Sequence, residues 1–485
     1  MPARRATYLF LAALLAVWAG QTLVAAPVLA AEPPRAEFRG RLILEPDHGP
    51  VGTRVTVRGE GFEPGAVMDL LWRTVDGRWE VANGEFHGRR FTPVSWPLAK
   101  VTADSRGAFT ATFTVPEDYG FSHDVMVVQD GVIRNKALFN VDLTITMHPT
   151  SGPPGTPITL EAKGIGWQLP ENSWLVIYDN RFTGWLSAVT TRGTARAVIP
   201  AAGRPGTHVL RILNGPFTFP YMNLQQSPFS DFPTFTFRFE VTDGDPVLPP
   251  PASRQGLAPE PGAPPAEAAG PVLWTDPRSG PVGTPISVYG RGFPPGSQVQ
   301  LTWYRLVGNR VSGKGWREEG VVLGAASADD QGTFRFPLTA LDDLGGPHRI
   351  EARASGGVSA ATDFAITPSA FDIEPSSGPA GTVATIHLKG VGWTETANIY
   401  TLVYDNGYVG YACGFNSQGD VTIYLPMTGE PGWHFIGLYP GIYKGKDAGG
   451  VENSRIPQLT YADDHPGEKL PAFRFAFRIT EPNGR

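Results

Sequence analysis

Intrachain disulfides are excluded at once, because Cys413 is the only cysteine among 485 residues. Stability must come from hydrophobic cores instead, which domains of about 110 residues can supply. Helical periodicity is almost missing; short alternating runs bounded by Gly, Pro, Asn and Asp dominate, the pattern of an all-β chain. Beyond the N-terminus no run approaches the roughly 20 apolar residues of a membrane helix. Clustered positive charge is also lacking: 40 Lys and Arg stand against 46 Asp and Glu, a net charge of −6. Nucleic acid is therefore excluded as a partner, since phosphate binding needs grouped Lys and Arg. There is no Gly-x-Ser-x-Gly elbow, no His-Glu-x-x-His and no repeated carboxylate pair. The chain reads as a non-enzyme with no cofactor and no metal site.

Residues 1–30 read as a secretory leader. Arg4 and Arg5 give a basic start, Tyr8 to Ala19 an apolar stretch, and Val28-Leu29-Ala30 a cleavage site. A secreted, extracellular or cell-surface location is expected, with no membrane span after the leader is removed.

The chain repeats one phrase four times. It runs Pro46 to Thr53, Pro149 to Thr156, Pro277 to Thr284 and Pro375 to Thr382. An alternating strand follows each copy, then Gly-x-Gly and an aromatic: Gly59/Gly61/Phe62, Gly164/Gly166/Trp167, Gly290/Gly292/Phe293 and Gly390/Gly392/Trp393. A repeat at domain spacing fixes the architecture and points toward binding or construction. Segments such as Phe235-Thr236-Phe237-Arg238-Phe239-Glu240-Val241 alternate apolar and polar residues, so seven or so strands per domain would form a two-sheet sandwich.

The copies alternate in type. The second and fourth share an ungapped register at a constant offset of 226, from Gly155/Gly381 through Tyr178/Tyr404 and His208/His434 to Gly215/Gly441 (381 − 155 = 441 − 215 = 226). The duplicated unit is a pair, giving A1-B1-linker-A2-B2. The expected boundaries are 36–141 for A1, 142–242 for B1, 243–271 for a Pro- and Ala-rich linker, 272–367 for A2 and 368–481 for B2. The linker is expected to be an extended, semi-stiff spacer holding two mobile halves apart. Inside each pair a short, stiff elbow is expected.

Pro-x-x-Gly-Pro-x-Gly-Thr, an alternating strand and Gly-x-Gly-Phe together resemble the IPT/TIG family of immunoglobulin-like, early-set sandwich domains. The resemblance covers all four copies, most clearly Pro46 to Gly65 and Pro277 to Gly296. B1 and B2 depart from it, ending the motif in Trp167 and Trp393 and carrying longer C-terminal loops. It implies four tandem immunoglobulin-like β-sandwiches that serve as adhesive modules, spacers or accessories to glycan-active enzymes, with no shared catalytic residue. The motif residues themselves are turn builders: Pro fixes φ and Gly permits positive φ.

The candidate ligand-binding residues are Tyr178, Asp179, Asn180 and Trp185, with their twins Tyr404, Asp405, Asn406 and Tyr411. Asn406-Gly407 reads as a type I′ hairpin pair, the purely structural account of this segment. A carboxylate and an amide beside aromatics also suit a sugar, and an Asp-Asn turn suits Ca²⁺. His123, His208, His348 and His434 share one repeat position; strung along a line, one per domain, they would pack locally. Cys413, twin of Ser187, reads as a small buried side chain. Gly308 to Gly315 nearly spells a P-loop but ends in Gly315 where Ser or Thr is needed. The function expected is non-catalytic binding or adhesion to an extracellular protein or glycan through two equivalent B surfaces. The alternatives are a structural spacer and a carbohydrate-binding accessory of a glycan-active system.

Overall fold

The computed structural model describes residues 35–215, 219–226, 231–266, 270–309, 315–414, 417–443 and 455–481. The leader expected over 1–30 and the residues 310–314 of the P-loop-like stretch lie outside them. Among the described residues the chain forms eight sheets, one three-stranded and one five-stranded in each of four successive sandwiches. Each sandwich has eight strands rather than seven or so. No described helix is long and apolar enough to cross a membrane.

The repeated phrase builds the same corner in every copy. The bond preceding Pro46, Pro149, Pro277 and Pro375 is cis. A short strand then leaves the three-stranded sheet and pairs in parallel with the last strand of the other sheet, as Gly49 does with Val141 and Gly152 with Val241. The threonine closing the phrase donates its hydroxyl to the proline carbonyl three residues back, at 2.7 Å in all four copies. A β-carbon on Gly49, Gly152, Gly280 or Gly378 would stand 2.4–2.6 Å from that hydroxyl oxygen. The motif thus makes a sheet-switching turn and exposes no chemistry.

Alternation sets the cores. In the strand Phe235–Val241 the Phe and Val side chains turn inward while Thr236, Arg238 and Glu240 are exposed. Trp72 and Trp303 fill the A cores and Trp174 fills that of B1, each fully buried. The strand Trp174–Tyr178 is buried along its whole length. Its outer face is covered too, where Leu175 and Trp185 pack with Phe86 of A1 and with Ile442 and Ile456 of B2.

The elbow inside each pair is closed by equivalent contacts. Gly120 N donates to Ile165 O at 3.1 Å, and Gly345 N to Val391 O at 3.1 Å. A β-carbon would stand 1.7 Å from Gly164 O at Gly120 and 2.0 Å from Gly390 O at Gly345, so only glycine fits.

The segment expected to hold the halves apart does not do so. Val247 N donates to Pro154 O, Ala252 N to the Asp372 carboxylate, and Arg278 N to Glu260 O. Gln255 bonds both backbone groups of Arg474 through its side-chain amide, at 2.8 and 2.6 Å. Proline-rich backbone has few donors of its own, and here the sandwiches satisfy them, so the segment is a strap along B1, B2 and A2. B1 and B2 also meet directly, with Arg474 donating to Val198 O at 2.9 Å.

Candidate functional site

In both B sandwiches the hairpin carrying Tyr-Asp-Asn turns on Asp and Asn. Asp179 and Asn180 have φ of +46° and +62°, Asp405 and Asn406 +47° and +60°. Tyr178 pairs Arg181 and Tyr404 pairs Gly407, leaving a two-residue loop. The type I′ pair is therefore Asp405-Asn406 and not Asn406-Gly407. The aspartate holds the first slot because its carboxylate is bonded on both oxygens. Asp405 Oδ1 accepts from Phe435 N at 2.9 Å, and Oδ2 lies 2.6 Å from His434 Nδ1. Asp179 does the same with Val209 N at 2.9 Å and His208 Nδ1 at 2.5 Å.

Each histidine stacks on the tyrosine of its own sandwich, His208 on Tyr178 and His434 on Tyr404, with ring centroids 5.6 Å apart. Burial pushes the His434 pKa down, but the hydrogen bond and charge of Asp405 and the Glu430 carbonyl together outweigh it and leave it raised. The tyrosine hydroxyls are tied down as well, Tyr178 to Ala202 O and Tyr404 to Thr428 O, both at 2.7 Å. Burial raises both phenol pKa values. In the A sandwiches the same histidine position stacks on the core tryptophan, His123 on Trp72 and His348 on Trp303, and its ring nitrogens meet backbone carbonyls, with Asp118 and Asp343 at 3.9 and 3.7 Å. His123 contacts Arg73 O and Tyr119 O, and His348 contacts Tyr304 O and Leu344 O.

The two B hairpins face one another. Residues one repeat apart touch: Phe182 and Tyr408 have ring centroids 6.2 Å apart, and Arg204 forms an ion pair with Glu430 at 2.8 Å (408 − 182 = 430 − 204 = 226). Such self-matching contacts mark a local pseudo-two-fold axis, as in an isologous dimer interface. Between the hairpins lies a cleft of about 1170 Å³. Tyr178, Asp179 and His208 line one wall, Tyr404, Asp405 and His434 the other. Arg181, Tyr408, Phe219 and Trp433 complete it, and Arg204 and Glu430 stand at the exposed rim.

Four of the eight candidate residues are thus brought together and four are not. Asn406 is 1% exposed; its side-chain amide donates to Pro200 O at 2.8 Å and its backbone carbonyl accepts from Thr183 Oγ1 at 2.7 Å. Asn180 is exposed, with Arg211 donating to its side chain at 3.3 Å. Trp185 is 1% exposed and offers a ligand no face, because Trp79 and Phe86 of A1 together with residues 455–464 of B2 cover it. Tyr411 is 44% exposed on a sheet edge, with the Arg455 guanidinium 5.3 Å from its ring. Cys413 lies at an exposed edge position rather than a buried one. Partial burial raises its thiol pKa, and Arg455 offsets this incompletely.

The aspartates have no oxygen left over for a cation: each binds histidine and backbone. Among the described residues no group of three or more His, Cys, Asp or Glu is placed to hold a metal ion. Sequence reasoning missed Arg181, Arg204, Glu430, Tyr408 and Trp433. The constant offset held a usable signal, because position 204/430 carries opposite charges in the two copies.

No protein-family model matches the chain, and no characterised protein matches it in sequence. Among solved structures it is similar to the native conformation of E. coli alpha-2-macroglobulin, at 12% identity and a TM-score of 0.18. That match covers 92% of this chain, which spans about a third (32%) of the macroglobulin. A tetra-tandem repeat from the extending region of a large adhesion protein matches at 10% identity and 0.18, over 91% of this chain and 100% of the other. The Yersinia pseudotuberculosis adhesin InvE matches at 12% and 0.16, over 76% and 73%. Likenesses at these scores carry no argument about activity. The chain itself is a series of four two-sheet β-sandwiches.

Proposed function

We propose that this is a non-catalytic extracellular binding protein that holds a saccharide in the cleft between B1 and B2. Its domains are read as IPT/TIG sandwiches at 36–141 and 272–367 and divergent IPT/TIG sandwiches at 142–242 and 368–481, exported by the leader. The observation that carries the reading is the opposition of the two Tyr-Asp-His sets across one cleft. Tyr408, Trp433 and Phe219 supply flat apolar faces, while Arg181, Arg204 and Glu430 supply charged hydrogen-bonding groups at the mouth. Sugars are held by this combination of concave shape, aromatic faces and a few placed polar groups. The pairing replaces two independent sites on a tether with one shared site.

The spacer alternative is weakened by the same geometry. A spacer works by reach, and a chain whose second and fourth sandwiches share hydrogen bonds has given up reach. The test is a glycan array followed by calorimetry on the hits. Trp433→Ala and Tyr408→Ala should each weaken binding by more than about 1 kcal/mol, the loss typical of buried aromatic contacts. A wild-type protein that binds no glycan on the array sinks the saccharide reading.

A further inference from the structure

The cleft between B1 and B2 is walled by twin residues, but its charges are not symmetric. The three acidic residues that line it are already engaged. Both Asp179 oxygens are taken, by His208 and Val209 N, and both Asp405 oxygens by His434 and Phe435 N. Glu430 is paired with Arg204 at 2.8 Å. Each histidine turns its second nitrogen to a carbonyl, His208 to Arg204 O and His434 to Glu430 O. Acceptors at both nitrogens suit a doubly protonated ring, so each Asp-His couple is internally neutral.

Arg181 is the exception. It is exposed, and among the described residues its guanidinium makes no ion pair; its hydrogen bond goes to a backbone carbonyl, Asp405 O, at 3.4 Å. Its twin is Gly407 (407 − 181 = 226), and the two positions touch. A β-carbon on Gly407 would stand 3.2 Å from Arg181 Cδ and 3.5 Å from Arg181 Cβ. A residue in contact with its own twin position lies on the pseudo-two-fold axis, where a second arginine would crowd the first and repel it. The hairpin itself does not demand glycine. B1 makes the same two-residue turn with arginine in that place, and the φ of Gly407 is not left-handed. A single unpaired cation thus sits at the middle of the cleft, over a glycine that leaves it room.

Resting on the saccharide reading above, we propose that the cleft takes an acidic saccharide and that Arg181 holds the carboxylate of a uronic acid unit. The guanidinium fork is planar, always charged and matched to two carboxylate oxygens. Tyr408, Trp433 and Phe219 line the same cleft and supply faces for the sugar rings. An incoming carboxylate meets no unpaired acid, since Asp179, Asp405 and Glu430 each keep a cationic partner.

The test is titration calorimetry of the full chain with the uronic-acid oligosaccharides of a glycan array. Each is compared with the same oligosaccharide after reduction of its carboxyl group to the alcohol. The acidic member should bind at least about tenfold more tightly, the scale of a charge-assisted hydrogen-bonded contact, and should weaken as salt rises. Arg181→Gln should remove that difference. Gly407→Glu, which gives the guanidinium a carboxylate within the chain, should remove it with Arg181 still present. Unchanged melting temperatures show that the variants are folded, and the wild-type comparison decides the matter by itself if they are not. Equal affinity for the acidic and reduced members, hits confined to neutral glycans, or a preference that survives Arg181→Gln overturns the proposal while the saccharide reading stands. Tighter binding of sulfated than of uronate glycans assigns Arg181 to sulfate and overturns the choice of carboxylate. Binding of no glycan at all sinks the saccharide reading and this proposal with it.

Discussion

Trp185 and Tyr411 hold the same position in B1 and B2, as do Asn180 and Asn406. In the first pair the B1 residue is buried and the B2 residue faces solvent; in the second pair the order is reversed. The local folds match strand for strand, down to the bulge at Val176/Ile177 and Leu402/Val403. What differs is what each sandwich leans on. The A1 hairpin reaches both, packing Phe86 on Trp185 of B1 and bonding Glu395 of B2 through Gly84 and Phe86; B1 alone receives the 455–464 segment along its edge strand, which B2 lends. Duplicated residues therefore take different roles through assembly, and a role cannot be carried from one copy to the other by register alone.

The sharpest way to break this comparison is to truncate both members of a pair. Trp185→Ala should cost about 3–5 kcal/mol, the loss for a buried aromatic, whereas Tyr411→Ala should stay within about 0.5 kcal/mol. Calorimetric unfolding of the two variants checks it, and equal losses would mean the 455–464 segment does not cover B1. Asp464 anchors that segment. Its Oδ1 accepts from Trp79 Nε1 at 3.0 Å, Thr190 N at 2.8 Å and Thr190 Oγ1 at 2.7 Å, and Oδ2 accepts from Val189 N at 2.8 Å. Burial pushes this carboxyl above its ordinary pKa, and hydrogen bonds from Thr190, Ser187 and Val189 work against that shift. Asp464→Ala strands those donors in A1 and B1, at a cost of about 1–3 kcal/mol, and should open residues 455–464 to limited proteolysis.

A smaller difference separates the asparagines. Both occupy left-handed turn positions, but only Asn406 is buried with its amide bonded. Asn406→Ala should therefore exceed Asn180→Ala by roughly 1 kcal/mol in urea unfolding. A pair of opposed pH dependences is expected within B2. His434 has a raised folded pKa, so its stabilisation is complete below the ordinary histidine value of 6.5 and fades as pH climbs through the folded value. Burial pushes His465 down to about 4, so its contribution is present above 6.5 and is lost as pH falls toward 4. His434→Gln should flatten the alkaline limb of the stability profile and His465→Gln the acid limb; an unchanged profile in either variant contradicts the assignment.

The sandwiches were legible because their evidence is local. Period-two strands and the Gly-Pro-x-Gly-Thr corner are written in consecutive residues, and Thr53 meets Pro50 three residues away. The pairing of Tyr178 with His208 could also be anticipated from the shared register. The cleft was not, because the register displays the opposite charges at 204 and 430 while their meeting depends on how the two sandwiches pack. The proline-rich stretch misled for a related reason: composition suggests an extended backbone and is silent on whether a sandwich such as B2, through Asp372 and Arg474, binds it. Trp185 misled because exposure at a strand edge depends on a segment more than 270 residues away.

The central claim is that B1 and B2 pack face to face around one cleft. Spin labels at Arg204→Cys and Glu430→Cys, in a Cys413→Ser background, measure the distance across its rim by pulsed electron resonance. The account predicts one narrow distribution at short distance. A broad distribution reaching toward the roughly 90 Å that residues 243–271 could span as an extended polyproline II tether would contradict it.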